Sequence, residues 1–282
     1  MRDCPPCFRI IWFFLFILPL SVSAKMVHII DENQQHVPAN YTGKVTIFWE
    51  NGCVYQGSLK RGKRHGWGVF VWPDGNRYEG NYVAGVRQGK GLYRWHTGNY
   101  YVGDWKDGQR TGKGLFTWVD GSVYKGDFIN DNRTGKGTLT WFNGSVYQGT
   151  FIADERTGEG KYQWHNGDRY QGHYVNGQRQ GQGQYQWKVT GSQYQGAWSQ
   201  NNRTGKGLFK WKNGDSYQGE FVDNKKHGQG TLSFQQGDRY QGMFANGKRD
   251  GQGVLIWSNG QRYEVEFSHG RRLKPQSNHG KH

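Results

Sequence analysis

A tyrosine with a glycine two residues after it recurs along this chain every 23 residues, and one unit carries an extra residue. The tyrosines are Tyr55, Tyr78, Tyr101, Tyr124, Tyr147, Tyr170, Tyr194, Tyr217, Tyr240 and Tyr263, and in the last unit valine replaces the glycine. A fixed interval of this length is typical of stacked supersecondary units, each of which buries its apolar face only against its neighbours. The interval predicts a solenoid whose function resides in a long repeated surface or in an exception to the repeat.

Each unit has the pattern of a β-hairpin. With the tyrosine as position 0, the consensus has glycine at 2, an aromatic residue at 4, Gly, Asn or Asp at 7, a basic residue at 9, glycine at 11 and 13, an apolar residue at 15 and glycine at 20. Two stretches of alternating residues are separated by turn residues, which predicts paired strands. Tryptophan fills position 17 at Trp72, Trp95, Trp118, Trp141, Trp164, Trp187, Trp211 and Trp257.

Both turns have residues that hairpins require. Asp-Gly or Asn-Gly follows the tryptophan in most units, as in Asp120-Gly121 and Asn143-Gly144, and both residue types tolerate the positive φ of a tight two-residue turn. Position 7 holds only glycine, asparagine or aspartate, which accept a left-handed conformation. Nothing in the repeat predicts a helix.

Alternation along the strands assigns side chains to two faces. Positions 0, 2 and 4 share one face with positions 11, 13, 15 and 17, so that rings can lie over the intervening glycines. Positions 1, 3, 14 and 16 are mainly polar and point the other way. We therefore predict an all-β fold, an elongated single-layer antiparallel sheet of stacked β-hairpins with one packed and one solvated face. Two strands per unit at about 4.8 Å give roughly 100 Å for ten units.

The first 24 residues differ from the rest of the chain. Arg2 and Arg9 precede or border an apolar run from Ile10 to Leu20, and Val22-Ser23-Ala24 resembles a cleavage motif. This order predicts a secretory signal peptide removed before Lys25, because the run is shorter than the roughly 20 residues of a membrane-spanning helix. An uncleaved signal anchor is the alternative.

The chain is thus predicted to have four regions: a signal peptide at 1–24, a lead-in or cap at 25–42, the repeat array at 43–272 and a disordered basic tail at 273–282. Removal of the signal peptide takes Cys4 and Cys7 with it and leaves only Cys53, so the fold must hold without an internal disulfide. We expect an exported protein, located in the periplasm or cell envelope or secreted, unless the uncleaved anchor tethers it to the membrane.

The formal net charge of +15 favours acidic partners such as phospholipid headgroups or anionic glycans, whereas export argues against nucleic acid. Position 9 is basic in every unit, and these residues, called the basic column here, are Arg64, Arg87, Arg110, Arg133, Arg156, Arg179, Arg203, Lys226, Arg249 and Arg272. Lysines at position 12, such as Lys90 and Lys113, add charge. A cation about every 10 Å would attract an anionic lipid surface, at about 1 kcal/mol each. The alternative role is structural, because a turn arginine can cover a ring or donate hydrogen bonds to loop carbonyls.

The motif Tyr-x-Gly-x-(Phe/Tyr/Trp)-x-x-Gly-x-Arg-x-Gly-x-Gly, at this interval over residues 43–272, resembles the MORN repeat (membrane occupation and recognition nexus). The resemblance implies an elongated antiparallel sheet, no catalysis by the repeats, and a scaffold, dimerisation or membrane-associating surface. Choline-binding wall repeats are also rich in aromatic residues and glycine, but their shorter units fit this interval poorly. Val45 and Val265 depart from the motif, and we interpret Glu264 and Glu266 as a cap on the terminal strand or as a regulated dimer edge.

The sequence predicts no active site. The ten histidines lack metal-ligand spacing, and most fall at repeated turn positions, as His65 and His227 do. The Thr111-Gly-Lys-Gly segment lacks both the hydroxyl residue and the following helix of a phosphate loop. We therefore expect no catalytic residue, metal, cofactor or small-molecule substrate, and no enzyme.

Three functions compete. The leading hypothesis is a non-enzymatic exported scaffold at the cell envelope that binds protein partners or self-associates, for example as a homodimer, through the aromatic sheet and its ends. Peripheral binding of anionic lipid through the basic column is the first alternative. Binding of glycans or cell wall through exposed rings is the second, and it would lose its platform if the rings were buried within the sheet.

Overall fold

The computed structural model describes residues 26–273, which form a single open sheet of 22 strands. The predicted signal peptide lies outside the described residues, as does the predicted tail apart from Leu273. Each strand pairs antiparallel with the next one along the chain, from the first pair to the last. The predicted all-β sheet of stacked hairpins is confirmed.

The strands are β1 (Met26–Asp31), β2 (Gly43–Trp49), β3 (Val54–Lys60), β4 (Lys63–Val71), β5 (Arg77–Val83), β6 (Val86–Arg94), β7 (Tyr100–Lys106), β8 (Gln109–Thr117), β9 (Val123–Ile129), β10 (Asn132–Thr140), β11 (Val146–Ile152), β12 (Glu155–Gln163), β13 (Arg169–Val175), β14 (Gln178–Gln186), β15 (Gln193–Ser199), β16 (Asn202–Lys210), β17 (Ser216–Val222), β18 (Lys225–Ser233), β19 (Arg239–Ala245), β20 (Lys248–Ile256), β21 (Arg262–Ser268) and β22 (Arg271–Arg272).

The turn around position 7 has the geometry that the sequence predicts. In the hairpin of β7 and β8, Asp107 has φ 51° and Gly108 has φ 80°. Two successive residues with positive φ match the right-handed twist of the strands that they connect. Where position 7 is not glycine, Asp131 and Asn201 adopt the same conformation, with φ of 68° and 69°.

The turn after the tryptophan differs from the prediction. Only its glycine has a positive φ, 89° at Gly121, whereas the preceding Asp120 does not. The Gly121 amide donates to the Trp118 carbonyl at 3.0 Å, and the Asp120 side chain accepts a 2.8 Å hydrogen bond from the Ser122 amide. The aspartate or asparagine at this place therefore caps the turn with its side chain.

A bulge explains the glycine at position 11. Between β7 and β8 the register runs from Gly103 opposite Gly114 to Asp104 opposite Thr111, so two residues of β8 have no partner on β7. One of them, Gly112, has φ 55°, a conformation that glycine adopts without the steric cost of a Cβ. This glycine serves the backbone, whereas the glycines at positions 2 and 13 lie beneath a ring.

The core lies within the single layer. The Tyr101 ring covers the paired glycines, and a Cβ built on Gly114 would lie 2.5 Å from the Tyr101 hydroxyl oxygen. That hydroxyl donates a 3.0 Å hydrogen bond to the Asp104 carbonyl. Edge-to-face rings flank Tyr101, with Trp105 at 5.4 Å and Phe128 at 5.1 Å between centroids. The nine tyrosines from Tyr55 to Tyr240 at position 0 are at most 1% exposed, so no second layer is needed to exclude water.

The two ends of the sheet are finished differently. At the first end, the chain after β1 folds back, and the Val37 amide donates to the Ile29 carbonyl at 3.2 Å. At the other end, β22 pairs with only two residues of β21. Val265 replaces the glycine there, and Tyr263 is 45% exposed although every other position-0 tyrosine is buried. Across residues 26–273 there is no helix with the length and apolarity to cross a bilayer.

Candidate binding surfaces

The face that carries the position-0 tyrosines, called the aromatic face here, is covered by its own side chains. The rings at position 4 are buried along with the tyrosines, as for Phe128 and Phe151. The position-15 and position-17 residues are partly buried and pack against each other, with Phe116 and Trp118 4.6 Å apart between centroids. The buried rings at positions 0 and 4 therefore offer no surface on which a sugar could stack, whereas those at position 17 stay partly exposed, with Trp257 43% exposed.

The basic column lies on the aromatic face and points along the sheet into the next repeat. The Arg110 Nη2 donates a 2.7 Å hydrogen bond to the Asp131 carbonyl, 21 residues later, and the Asp131 amide donates to the Arg110 carbonyl at 3.1 Å. Seven of the arginines donate to the position-7 carbonyl of the following repeat: Arg64, Arg87, Arg110, Arg133, Arg156, Arg179 and Arg203. We call this reciprocal contact the inter-repeat bridge.

The same guanidinium groups lie over aromatic rings. The Arg87 Cζ is 4.5 Å from the Trp105 ring centroid and the Arg179 Cζ is 4.4 Å from that of Trp198, distances at which a cation is attracted to the ring. Burial lowers the pKa of Arg179 and of Arg203. The basic column thus makes the contacts expected of a structural role, in which an arginine covers a ring and donates hydrogen bonds to carbonyls. Arg272 in β22 differs from the others in that it is exposed. Binding of the basic column to an anionic surface stays a prediction.

The opposite face, called the polar face here, carries positions 1, 3, 12 and 14. The position-12 lysines lie on this face, so they do not extend the basic column. Lys90 forms an ion pair with Asp104 at 2.5 Å and Lys113 with Asp127 at 2.6 Å. Each pair links neighbouring strands, with both lysine side chains at least 70% exposed, so these pairs contribute little to stability.

An axial groove runs across strands β4 to β12 on the polar face and encloses about 1060 Å³. Its floor is backbone at the glycine pairs, for example Gly103 and Gly114. Trp67, Leu92 and Val102 line the end nearest β4, together with Lys90, and the far end is lined by Lys125, Lys136 and the carboxylate of Glu159. Trp67 is 56% exposed and Val102 is 47% exposed, so this part of the polar face offers apolar surface to a partner.

A second groove lies on the same face farther along the chain, across β11 to β16, and encloses about 630 Å³. Its lining is dominated by glutamine, including Gln148, Gln171, Gln184 and Gln195. Gln184 and Gln195 lie opposite each other on paired strands. Amide side chains both donate and accept hydrogen bonds, so this stretch can bind polar groups of either kind.

Over residues 26–273 no group of three or more His, Cys, Asp or Glu side chains is placed to hold a metal ion. Cys53 is buried and unpaired in the described part of the chain.

The site residues predicted from the sequence, tyrosine, tryptophan and basic residue, come together in one layer on the aromatic face. Sequence reasoning missed the axial groove, although Trp67, Leu92 and Val102 interrupt the otherwise polar positions of that face and were a usable signal.

Comparisons with known proteins give a family but no close relative. A family model for the MORN repeat matches nine segments, at 55–77, 78–100, 101–123, 124–146, 147–169, 170–189, 194–216, 217–239 and 240–262. The tenth predicted unit, which begins at Tyr263 and has Val265 in place of glycine, is not among them. No curated protein sequence matches the chain.

Solved structures with likeness to this chain include two domains of the protein CPAP. The G-box domain of the microcephaly protein CPAP is 10% identical, with 71% of this chain and 97% of that chain covered and a TM-score of 0.40. The TCP10 domain of Danio rerio CPAP is 11% identical, with 79% and 99% covered and a TM-score of 0.39. These values are too low to indicate a shared function.

Proposed function

Because the chain is a member of the MORN repeat family, we propose that it is a non-enzymatic, exported scaffold that binds a protein partner along its polar face. The observation that carries this proposal is the axial groove, where exposed apolar side chains lie beside lysines on an otherwise polar surface. Exposed apolar surface with a polar rim is typical of a protein interaction site.

The polar face suits this role better than the aromatic face. Rings at positions 0 and 4 are buried by one another and by the basic column, so the apolar surface at those two positions is already used for folding. Side chains at positions 1 and 14 lie outside this ring core. Among them, Val102, Lys125 and Gln148 are all exposed. A scaffold of this design can change its partner through polar-face substitutions without loss of its core.

Export rests on the sequence of residues 1–24, where a basic start, an apolar run and small residues follow in the order of a signal peptide. It is tested by expression of the full chain in a secreting host and determination of the N-terminus of the released protein. A protein that begins at Lys25 in the exported fraction supports the proposal. Retention of the intact N-terminus in the membrane fraction would indicate the signal anchor.

The binding surface is tested with a photo-crosslinking amino acid placed at Gln148, on the polar face, or at Val119, in a turn. Both positions are exposed, and Val119 is 70% exposed. Purified protein is irradiated with extract from the compartment that contains it, crosslinked proteins are identified by mass spectrometry, and the complex is rebuilt from purified components. We expect one partner to crosslink from Gln148 and not from Val119.

Equal crosslinking from both positions, or crosslinking from Val119 alone, would overturn the polar face as the binding surface. Irradiation of the purified protein alone provides the test for self-association. With the crosslinking amino acid placed at Glu264 on β21, at the open end of the sheet, a crosslink between two copies would instead support the homodimer. Glu264 and Glu266 are exposed there, and two such strands paired antiparallel would bring like charges together, which is destabilising.

A further inference from the structure

We propose that the axial groove binds an acidic, proline-rich segment of a partner protein in the polyproline II conformation. This inference rests on the proposed function and specifies its partner. It depends on three features of the groove: its direction across the strands, its repeat distance, and the distribution of apolar and charged side chains along it.

The groove lies between two rows of side chains. Positions 3 and 12 form one row, in which Lys113 lies opposite Asp127, and positions 1 and 14 form the other, in which Leu92 lies opposite Val102. Residues two apart on a strand are about 7 Å apart, so the channel admits an extended chain. An α-helix, with a diameter of roughly 10–12 Å, is too wide for it.

The spacing of the rows selects among extended conformations. Along each row, the same side-chain position recurs once per repeat. One repeat is two strands wide, a distance of about 9.6 Å. A polyproline II chain has three residues per turn and rises about 3.1 Å per residue, so its turn of about 9.3 Å nearly equals this distance. A β-strand repeats its side chains every 7 Å or so and would lose register after one unit. Only the polyproline II chain presents the same side to successive repeats.

Apolar side chains are concentrated near the β4 end of the groove, and two lysines lie farther along it, before Glu159 on β12. Trp67, on β4, is 56% exposed, and aromatic surfaces are the usual contact for proline rings. Leu92 and Val102 continue this end. Lys125 and Lys136 lie farther along, on the adjacent strands β9 and β10 and in opposite rows.

These two lysines are available to an anionic ligand. Lys125 has Leu115 and Thr138 as cross-strand neighbours, and Lys136 has Thr150. Neither forms an ion pair with a carboxylate of residues 26–273, in contrast to Lys90 and Lys113. A carboxylate above β9 and β10 would therefore meet two cations without displacing a partner, and Glu159 on β12 marks where the cationic stretch ends.

The length of the bound segment follows from the strand count. Six strand steps separate β4 from β10, which corresponds to about 29 Å and to about nine residues of polyproline II. The ligand that fits has prolines where it meets Trp67 and glutamates at every third residue where it meets the lysines.

The test is a binding titration of the protein from Lys25 onward with labelled synthetic peptides of about twelve residues. One peptide has prolines and glutamates in a three-residue period, a second has the same composition in shuffled order, and a third has lysine in place of glutamate. We expect the periodic peptide to bind at least about tenfold more tightly than the other two, and more weakly as salt rises.

The variants are Trp67→Ala and the double substitution Lys125→Ala with Lys136→Ala, and circular dichroism verifies that each is folded. Both should weaken binding of the periodic peptide about tenfold. The matched control is Lys188→Ala with Lys212→Ala, two exposed lysines in turns, which should leave it unchanged.

Equal binding of the shuffled peptide, or no effect of the Lys125 and Lys136 substitutions, would overturn the proposal. A sulfated oligosaccharide that binds more tightly than the periodic peptide would also overturn it and identify a glycan site. If the peptides fail while Gln148 still crosslinks a protein partner, the scaffold function stands and only this ligand class is wrong.

Discussion

Arg110 and Asp131, which belong to successive repeats, are joined by four hydrogen bonds. The Arg110 Nη2 donates to the Asp131 carbonyl at 2.7 Å, its Nε to the Asp131 Oδ1 at 2.9 Å and its backbone amide to the same oxygen at 3.0 Å. The Asp131 amide donates to the Arg110 carbonyl at 3.1 Å. The guanidinium also lies 5.5 Å from the Phe128 ring centroid. Each repeat therefore stabilises the turn of the next.

Substitution Arg110→Ala should destabilise the sheet at this place by roughly 3 kcal/mol, because it removes charge-assisted hydrogen bonds and a ring contact in a half-buried setting. The measurement is hydrogen exchange of amides in β8 to β10, combined with denaturant unfolding. Lys125→Ala, an exposed change on the polar face, is the matched control and should have an effect below about 0.5 kcal/mol. Equal exchange rates in the two variants would contradict the role of the inter-repeat bridge.

Two glycines allow the ring core to be tested separately from backbone conformation. A Cβ on Gly126 would lie 2.6 Å from the Tyr124 Cζ and 2.7 Å from the Gly137 Cα, whereas a Cβ on Gly121 would meet nothing within 4 Å. Gly126→Ala should therefore cost about 3 kcal/mol or more through overpacking, and Gly121→Ala about 1–2 kcal/mol through its positive φ. The thermal midpoints of the two variants provide the comparison, and the reverse order would refute the ring-over-glycine account.

Tyr263 should be the first repeat tyrosine to react with a nitrating reagent. It is 45% exposed, whereas Tyr55 to Tyr240 at position 0 are buried, and Val265 occupies the place over which the ring lies in other units. Mass spectrometry after brief nitration identifies the modified residue. In the variant Val265→Gly we expect slower nitration of Tyr263, since the ring can then lie over the backbone. Unchanged reactivity would show that the valine does not cause the exposure of the ring.

Alkaline pH should unfold the protein between about pH 10 and 12. Burial raises the pKa of six tyrosines from 10.0 to about 12, namely Tyr55, Tyr78, Tyr124, Tyr147, Tyr194 and Tyr217. Above pH 10 the unfolded chain has lost these protons while the folded chain still binds them. The contribution of these tyrosines to the free energy of unfolding is therefore fully present below pH 10. It falls as pH rises, by up to about 1.4 kcal/mol per pH unit for each tyrosine.

The measurement follows tyrosinate absorbance and circular dichroism together during a pH titration. We expect both signals to change in one steep step, because ionisation and loss of the sheet are coupled. Gradual ionisation near pH 10 with the sheet intact would show that the tyrosines are accessible in the folded protein.

The basic column should contribute little to membrane binding. Its arginine head groups are engaged by carbonyls and rings, and the Arg110 and Arg133 side chains are only 18% and 20% exposed. Sedimentation of the protein with anionic and neutral vesicles over a salt series tests this. We would infer that the basic column binds lipid if two results were obtained. The protein would bind anionic vesicles in a salt-sensitive manner, and a folded Arg156→Gln variant would bind them less.

Much of the fold could be predicted because the repeat is local in sequence. The alternation from Tyr101 to Trp105 and the left-handed turn residues Asp107 and Gly108 define strands and a connection within a few residues. The prediction of positive φ at both residues of the Asp120-Gly121 turn was wrong for Asp120. An Asp-Gly pair is compatible with more than one turn type, and the surrounding strands select among them.

What the sequence alone determined is the repeat, the hairpins and the placement of tyrosines, glycines and basic residues on one face, since each depends on neighbours in the chain. What only the tertiary structure decided is how those residues act between repeats. The partner of Arg110 is 21 residues away, and the bulge at Gly112 exists only against β7. The axial groove forms only when strands from β4 to β12 lie side by side, so its shape depends on cumulative packing that no single unit contains.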